Sequence, residues 1–423
     1  MKDALRALRH RNFRLYFFGQ SASLIGTWMT RMATGWLVYR LTGSALLLGV
    51  VTFAGQMPTF LLGPFAGVWV DHWDRRRVLV ITQWLAALQS LLLAALTLSG
   101  HVTILEVLLL SVFQGVVNAF DFPARQSFLV QMVNDRADLS NAIALNSTMV
   151  NGARLLGPAL AGLVIAVVGD GYCFLVDGLS YFAVIASLIT MKLEATPPRK
   201  AAIDMLSQLS QGWEYVSTFR PVRTVMLLFV MISFMGVPYT VLMPIFATKI
   251  LHGGPDALGM LMGASGLGSM LATISLAARK SIRGLYGLIP TATFIFGGGL
   301  VAFAFSQSYW LSLLLMAVTG FGLMQQYTAS NTVIQTIVDD DKRGRVMSYW
   351  MMAYMGASPI GSLIAGGLAP ILGAPGTVLL CGLGSIGGAI WFRMQFPKLR
   401  PELRPIYERL GLLASAAEAE SSS

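Results

Sequence analysis

The sequence predicts an all-α polytopic membrane protein with twelve transmembrane helices arranged as two six-helix halves. Three observations lead there. First, 55% of the 423 residues are apolar and 12% are charged, with a mean hydropathy of +0.66. Soluble domains carry about 25% charged residues. Nearly the whole chain lies in apolar runs of about 20 residues or more, the length a helix needs to cross a bilayer. Second, Lys and Arg are sorted onto alternate connecting segments. Only Arg31, Arg40, Arg154 and Lys249 fall outside the segments on one side. Third, the chain resembles itself at a constant offset, as between Gly152 and Gly356.

The expected spans are residues 13–41, 44–70, 77–99, 102–121, 139–168 and 172–191 in the first half. Those of the second are 223–250, 257–278, 284–305, 309–337, 346–372 and 375–396. Several runs exceed what the hydrocarbon core requires, which implies tilt or protrusion. The basic opening "MKDALRALRHRNF" puts Leu5, Leu8 and Leu15 roughly on one face and is expected to lie on the membrane surface. The apolar run behind it is too long for a secretory leader and is read as a retained first helix.

The first half is placed at 1–191, a linker at 192–222, the second half at 223–396 and a tail at 397–423. Pro197 and Pro198 stop the sixth span. Ile203, Leu206, Leu209, Trp213 and Val216 then recur at helical spacing, as in an amphipathic helix, before Pro221. Across the halves, "GARLLGPALAGLVIAVVG" (152–169) matches "GASPIGSLIAGGLAPILG" (356–373), and Gln131, Asp135 and Arg75 match Gln335, Asp339 and Arg279. Repeated halves of one orientation are a transporter architecture, with substrate bound between them near the midplane. The sorting of basic residues places both termini in the cytoplasm. It also accounts for the net charge of +10 without a nucleic-acid partner. Cys173 and Cys381 fall in different halves, and no disulfide is expected.

The stretch "GVWVDHWDRRR" (67–77) carries a family resemblance. The chain resembles the major facilitator superfamily, whose mark between helices two and three is Gly-x-x-x-Asp-(Arg/Lys)-x-Gly-Arg-(Arg/Lys). Gly67, Asp71, Arg75 and Arg76 fit; His72 replaces the first basic residue and Asp74 the second glycine. "GTWMTRMATGWLVYRLTGS" (26–44), "DFPARQSF" (121–128) and "DDDKRGRVMS" (339–348) look like the drug:proton antiporter branch that includes enterobactin and macrolide exporters. The resemblance implies a carboxylate–arginine–carboxylate relay that latches the halves, assigned here to Asp71, Arg75 and Asp121, with Asp121 closing span four. On this branch many members carry an arginine within span four; Ser111 stands there instead.

The residues themselves suggest where solute passes. Gln20, Thr27, Arg31 and Thr34 share a face of span one. An arginine at this depth costs at least ~2.5–3.5 kcal/mol unless solvated or paired, so a wet cavity is expected beside Arg31. Arg154 calls for the same account, with Asn151 before it. Gln114 and Asn118 on span four, and Gln325, Gln326 and Asn331 on span ten, complete the expected lining. Gly152, Gly157, Pro158, Gly162, Gly356, Gly361 and Gly366 are expected to pack helices closely. Proton coupling needs a titratable carboxylate, for which Asp177, Glu106 and Asp121 are the candidates.

Other chemistry finds no support. No Gly-x-x-x-x-Gly-Lys-(Ser/Thr) loop is present, and "GASGLG" (263–268) lies inside a span. His10, His72, His101 and His252 are scattered and form no metal set, so neither metal nor cofactor is expected. The expectation is a monomeric, multi-pass exporter in the bacterial cytoplasmic membrane, moving small amphipathic drugs or siderophores by alternating access with protons as co-substrate. An uncoupled facilitator or a lysophospholipid transporter of the same fold is the alternative; an enzyme or scaffold fits less well.

Overall fold

The computed structural model describes residues 3–132, 136–192, 205–279 and 284–409. A 3-10 helix, Asp3–Arg9, precedes α1 (Arg11–Thr42), α2 (Ala45–His72), α3 (Arg75–Leu98), α4 (Ile104–Leu129), α5 (Arg136–Val168) and α6 (Gly171–Thr190). The linker helix is α7 (Met205–Thr218). Then come α8 (Arg220–Met231), α9 (Tyr239–Ile245), α10 (Pro255–Ala277), α11 (Leu285–Phe305), α12 (Tyr309–Ile337) and α13 (Asp340–Arg409). Nine helical segments among the described residues are long and apolar enough to cross a membrane. One of these, Asp340–Leu399, is broken at Gly373, and α1 and α12 add helices of 32 and 29 residues. Together these segments are consistent with the twelve expected spans.

Local chemistry sets the ends. Gly43 adopts φ 62° and returns its N–H to the Tyr39 carbonyl, which stops α1. Ser44 accepts from the Leu47 N–H to start α2, and Asp74 accepts from the Arg77 N–H to start α3. Asp74 therefore serves as a helix cap. Thr103 and Glu106 form a reciprocal capping box at the start of α4.

Three boundaries differ from the sequence expectation. Helix α4 runs to Leu129 through Pro123, so Asp121 lies inside it instead of closing it. The segment expected as one helix over 223–250 is α8 and α9 separated and followed by π-helical turns, Ile232–Gly236 and Phe246–Ile250. Pro238 and Pro244 each remove a backbone donor there, and the wider turn absorbs the lost bond. The last two spans are two helices that meet at Gly373, where φ is 72°, between 372 and 375 as expected. The last helix carries on past its expected end at 396, to Arg409.

The opening segment packs onto the helix bundle. The Ala7 N–H donates to Asn141 Oδ1, and Asp138 pairs with Arg6 and with His10 at 2.8 Å. Leu8 and Leu15 pack against the first half's core, while Leu5 stays exposed. In α7, Val216 is buried and Trp213 lies against Tyr349 at 5.9 Å. Ile203 and the side chains of Leu206 and Leu209 lie outside the described residues.

The halves meet along two antiparallel helix pairs, α5 with α10 and α2 with α13. Gly162 faces Pro255 and Gly259, and Gly266 faces Arg154 and Leu155. In the second pair Gly366 meets Ala45 and Gly49, and Gly356 meets Phe60. The contacts of Gly162 and Gly366 lie toward the ends of α5 and α2 that are far from Asp138 and His72, and those of Gly266 and Gly356 lie near the middle of the same helices. Toward the face that carries Asp138, His72 and Asp340, the helices part. At Gly63 and Gly67 on α2, Gly152 on α5 and Gly344 on α13, a Cβ would meet nothing within 4 Å. The molecule is thus closed at one face and splayed at the face that bears its N-terminal segment.

Candidate functional site

Glycine brings α1 and α5 together at the depth where the charges lie. A Cβ on Gly157 would collide with the Trp28 Cβ and stand 3.0 Å from the Ile25 carbonyl. With no side chain in the way, α5 presses against α1 and the Trp28 ring sits beside Arg154. The Arg154 Cζ is 5.1 Å from the Trp28 ring centroid, and the Arg31 Cζ is 4.9 Å from the same centroid. The two guanidinium carbons therefore lie within about 10 Å of each other. At an effective dielectric of 20 they repel by at least about 1.7 kcal/mol, while each gains about 0.5–2 kcal/mol from the indole face.

The arrangement faces the second half. Gly35, one helical turn after Arg31, looks toward Pro244 at 4.0 Å, and Arg154 Nη1 donates to the Met324 Sδ at 3.8 Å. Arg31 is exposed, and Trp28, Arg154 and Met324 are half-buried. Among the described residues no carboxylate lies within 4.0 Å of either guanidinium. Sequence reasoning named Arg31 and Arg154 but missed Trp28. The signal was available: Trp28 precedes Arg31 by three positions, so the two share a helix face.

The carboxylates at membrane depth have partners of their own. Asp121 accepts from Arg125 Nε at 3.0 Å and Nη2 at 2.5 Å through Oδ2, and from Thr82 at 2.9 Å and Gln83 at 2.7 Å through Oδ1. These donors from α3 and α4 surround the Asp121 carboxylate and tie the two helices together. Glu106 is held by the Thr103 N–H and hydroxyl as a cap. Asp177 is 2% exposed, between α1, α3 and α6. Its Oδ2 lies 3.0 Å from the Ser90 hydroxyl and its Oδ1 3.5 Å from that of Thr27. Gly26 permits this approach, since a Cβ there would stand 2.9 Å from Asp177 Oδ1.

The other expected residues separate. The stripe on α1 does not line one cavity: Gln20 is 2% exposed, and Thr27 points at Asp177 and Tyr181 because α1 packs against α6 there. Thr34 is half-buried. Asn151 is buried and donates to its own helix at the Ser147 carbonyl. Gln114 donates to Asn118 at 3.2 Å, both half-buried on α4. Gln325 and Gln326 are buried: Gln325 reaches across to Ser275 on α10, and Gln326 donates along its own helix to Ser330, so neither lines open space. Asn331 is half-buried and accepts from Gln335. Trp350 is fully buried, stacked on Phe229 at 3.6 Å.

Of the packing glycines, Gly157, Gly162, Gly356, Gly361 and Gly366 sit at close contacts, and the Pro158 carbonyl faces Gly259. Gly152 does not: a Cβ there would meet nothing within 4 Å among the described residues. For the relay, Arg75 is half-buried at the first position of α3, while the Asp71 side chain lies outside the described residues.

Comparison with known proteins fits this architecture. A family model described as "Transmembrane secretion effector" matches residues 2–408. The staphyloferrin A transporter of Staphylococcus aureus is 28% identical over 384 residues, covering 88% of this chain and 93% of that one. The multidrug efflux pump Tap of Mycolicibacterium fortuitum is 27% identical, covering 87% and 92%. Among solved structures, the nucleoside transporter NupG superposes with a TM-score of 0.72 at 13% identity, covering 92% and 99%. That last likeness establishes the fold. With the family model spanning nearly the whole length, this chain belongs to the transmembrane secretion effector family of the major facilitator superfamily: it is a multi-pass membrane transporter and not an enzyme.

Proposed function

We propose that this chain exports small amphipathic organic molecules, drugs or siderophores, by alternating access of residues 1–191 and 223–396, driven by proton entry. One observation carries the reading. The halves are joined at one face and parted at the other, and Arg31, Trp28 and Arg154 lie where the first half faces the second. The names of the relatives, a siderophore transporter and a drug efflux pump, support the solute class. On this reading the splayed face is cytoplasmic, because the basic residues are sorted to it. Both termini then lie inside a bacterial cytoplasmic membrane, 192–222 links the halves, 397–423 is a cytoplasmic tail, and the transporter acts as a monomer.

Asp177 is the proton carrier in this scheme. Ser90 and Thr27 each have one hydroxyl proton, and each also has a backbone carbonyl in reach, Phe174 O at 2.9 Å and Ser23 O at 3.0 Å. The carboxylate can accept from these hydroxyls, or a neutral carboxyl can donate to Ser90 while the hydroxyls turn to the carbonyls. Taking up a proton thereby changes how α6 is tied to α1 and α3. Asp71, Arg75 and Asp121 form the gate on the splayed side, with Asp121 anchored by Arg125.

The test is transport in proteoliposomes under an imposed pH gradient, with a panel of drugs and siderophores. At least one flux should follow the gradient, and Asp177→Asn should uncouple it while leaving binding intact. If no flux responds, the antiport reading fails. Gradient-independent movement of a solute or of lysophospholipid would then identify the protein as a facilitator.

A further inference from the structure

We infer that the solute carries a negative charge, and that Arg31 and Arg154 bind its anionic group while Trp28 packs against its apolar part. The inference rests on the transport reading above and narrows the substrate class. Its basis is an imbalance of charge. Asp121 is surrounded by Arg125, Thr82 and Gln83; Glu106 caps α4; Asp177 points into hydroxyls of α1 and α3. No described carboxylate remains for Arg31 or Arg154, which share one indole ring at 4.9 and 5.1 Å. Two guanidiniums that share one ring and have no described carboxylate repel each other.

A carboxylate or phosphate seated between them removes that repulsion and gains charge-assisted hydrogen bonds from two planar forks. An organic cation would meet repulsion from both. The indole supplies an apolar surface within reach of the same charges, so an amphipathic anion satisfies the whole group. Because Arg154 also touches Met324 of the second half, a bound anion would lie where relative motion of the halves is felt.

The experiment measures binding, separately from transport. Purified protein in phosphatidylcholine nanodiscs is titrated calorimetrically with three probes of one shape: 1-naphthaleneacetate, its methyl ester and 2-(1-naphthyl)ethylamine. The carboxylate should bind at least tenfold more tightly than the other two. Arg31→Gln and Arg154→Gln should each lose about tenfold for the carboxylate and leave the ester unchanged, with Arg31→Lys retaining part of the preference. Thermal unfolding checks that each variant is folded. Equal affinities, a preference for the amine, no binding of any probe, or equal losses for all three would overturn the inference. Anion preference without any gradient-driven flux would instead refute the coupling reading and leave this site standing. Gradient-driven efflux of a cationic drug, unchanged in both variants, would do the reverse.

Discussion

The contact between the halves is built from backbone, which makes a single methyl group a sharp probe of alternating access. A Cβ placed on Gly162 would lie 2.7 Å from the Pro255 carbonyl oxygen, 3.0 Å from the Gly259 Cα and 3.1 Å from the Asp256 Cα. None of these atoms can turn away as a side-chain rotamer can. The helices must separate by several tenths of an ångström, and overpacking of this kind costs about 1–3 kcal/mol. The penalty falls only on the state in which α5 and α10 touch at this point. Gly162→Ala should therefore shift the conformational equilibrium away from the observed state by roughly 5- to 150-fold without a comparable loss of fold stability. Gly152, ten positions earlier on the same helix, opens onto the splayed side and offers the reporter. Maleimide labelling of Gly152→Cys should slow several-fold when Gly162→Ala is added, while Gly67→Ala, at another open position, should have no effect. Unchanged labelling, or a fall in melting temperature with no change in labelling, would refute the claim that this contact holds one face shut.

Two further outcomes test the polar assignments. Arg125→Ala leaves the Asp121 carboxylate buried with two of its donors gone, so thermal denaturation should show a loss of about 3–5 kcal/mol; adding Asp121→Asn should recover much of it, and simple additivity of the two changes would contradict the pairing. Thr103→Ala should cost about 0.5–2 kcal/mol as a lost helix cap, and Glu106→Gln should leave the response of flux to a pH gradient unchanged, which a coupling role for Glu106 would not allow.

The long apolar runs, the order of spans, the repeat and the two membrane-depth arginines were all legible in the sequence, because each rests on local composition or on periodicity along one helix. Partner choice was not. Gln20 and Arg31 share a helical face, yet Gln20 is buried and Arg31 is exposed, since α1 packs against α6 at one depth and is open at another. Gln325 and Gln326 look like cavity residues by type, and neighbouring serines claim their amides.

What the sequence determined by itself is therefore the class of molecule: a membrane-spanning helical transporter of two related halves, with charge sorted across the bilayer. These properties follow from the cost of placing polar groups in hydrocarbon, which acts on every segment wherever its neighbours lie. What only the tertiary structure decided is which charges are already paired. The carboxylates of Asp121 and Asp177 and the guanidiniums of Arg31 and Arg154 look equally costly in one dimension. Packing supplies Asp121 with Arg125 and Asp177 with hydroxyls, and it supplies the two arginines with a shared indole and, among the described residues, no carboxylate, because contacts between helices are set by close approaches such as Gly157 against Trp28.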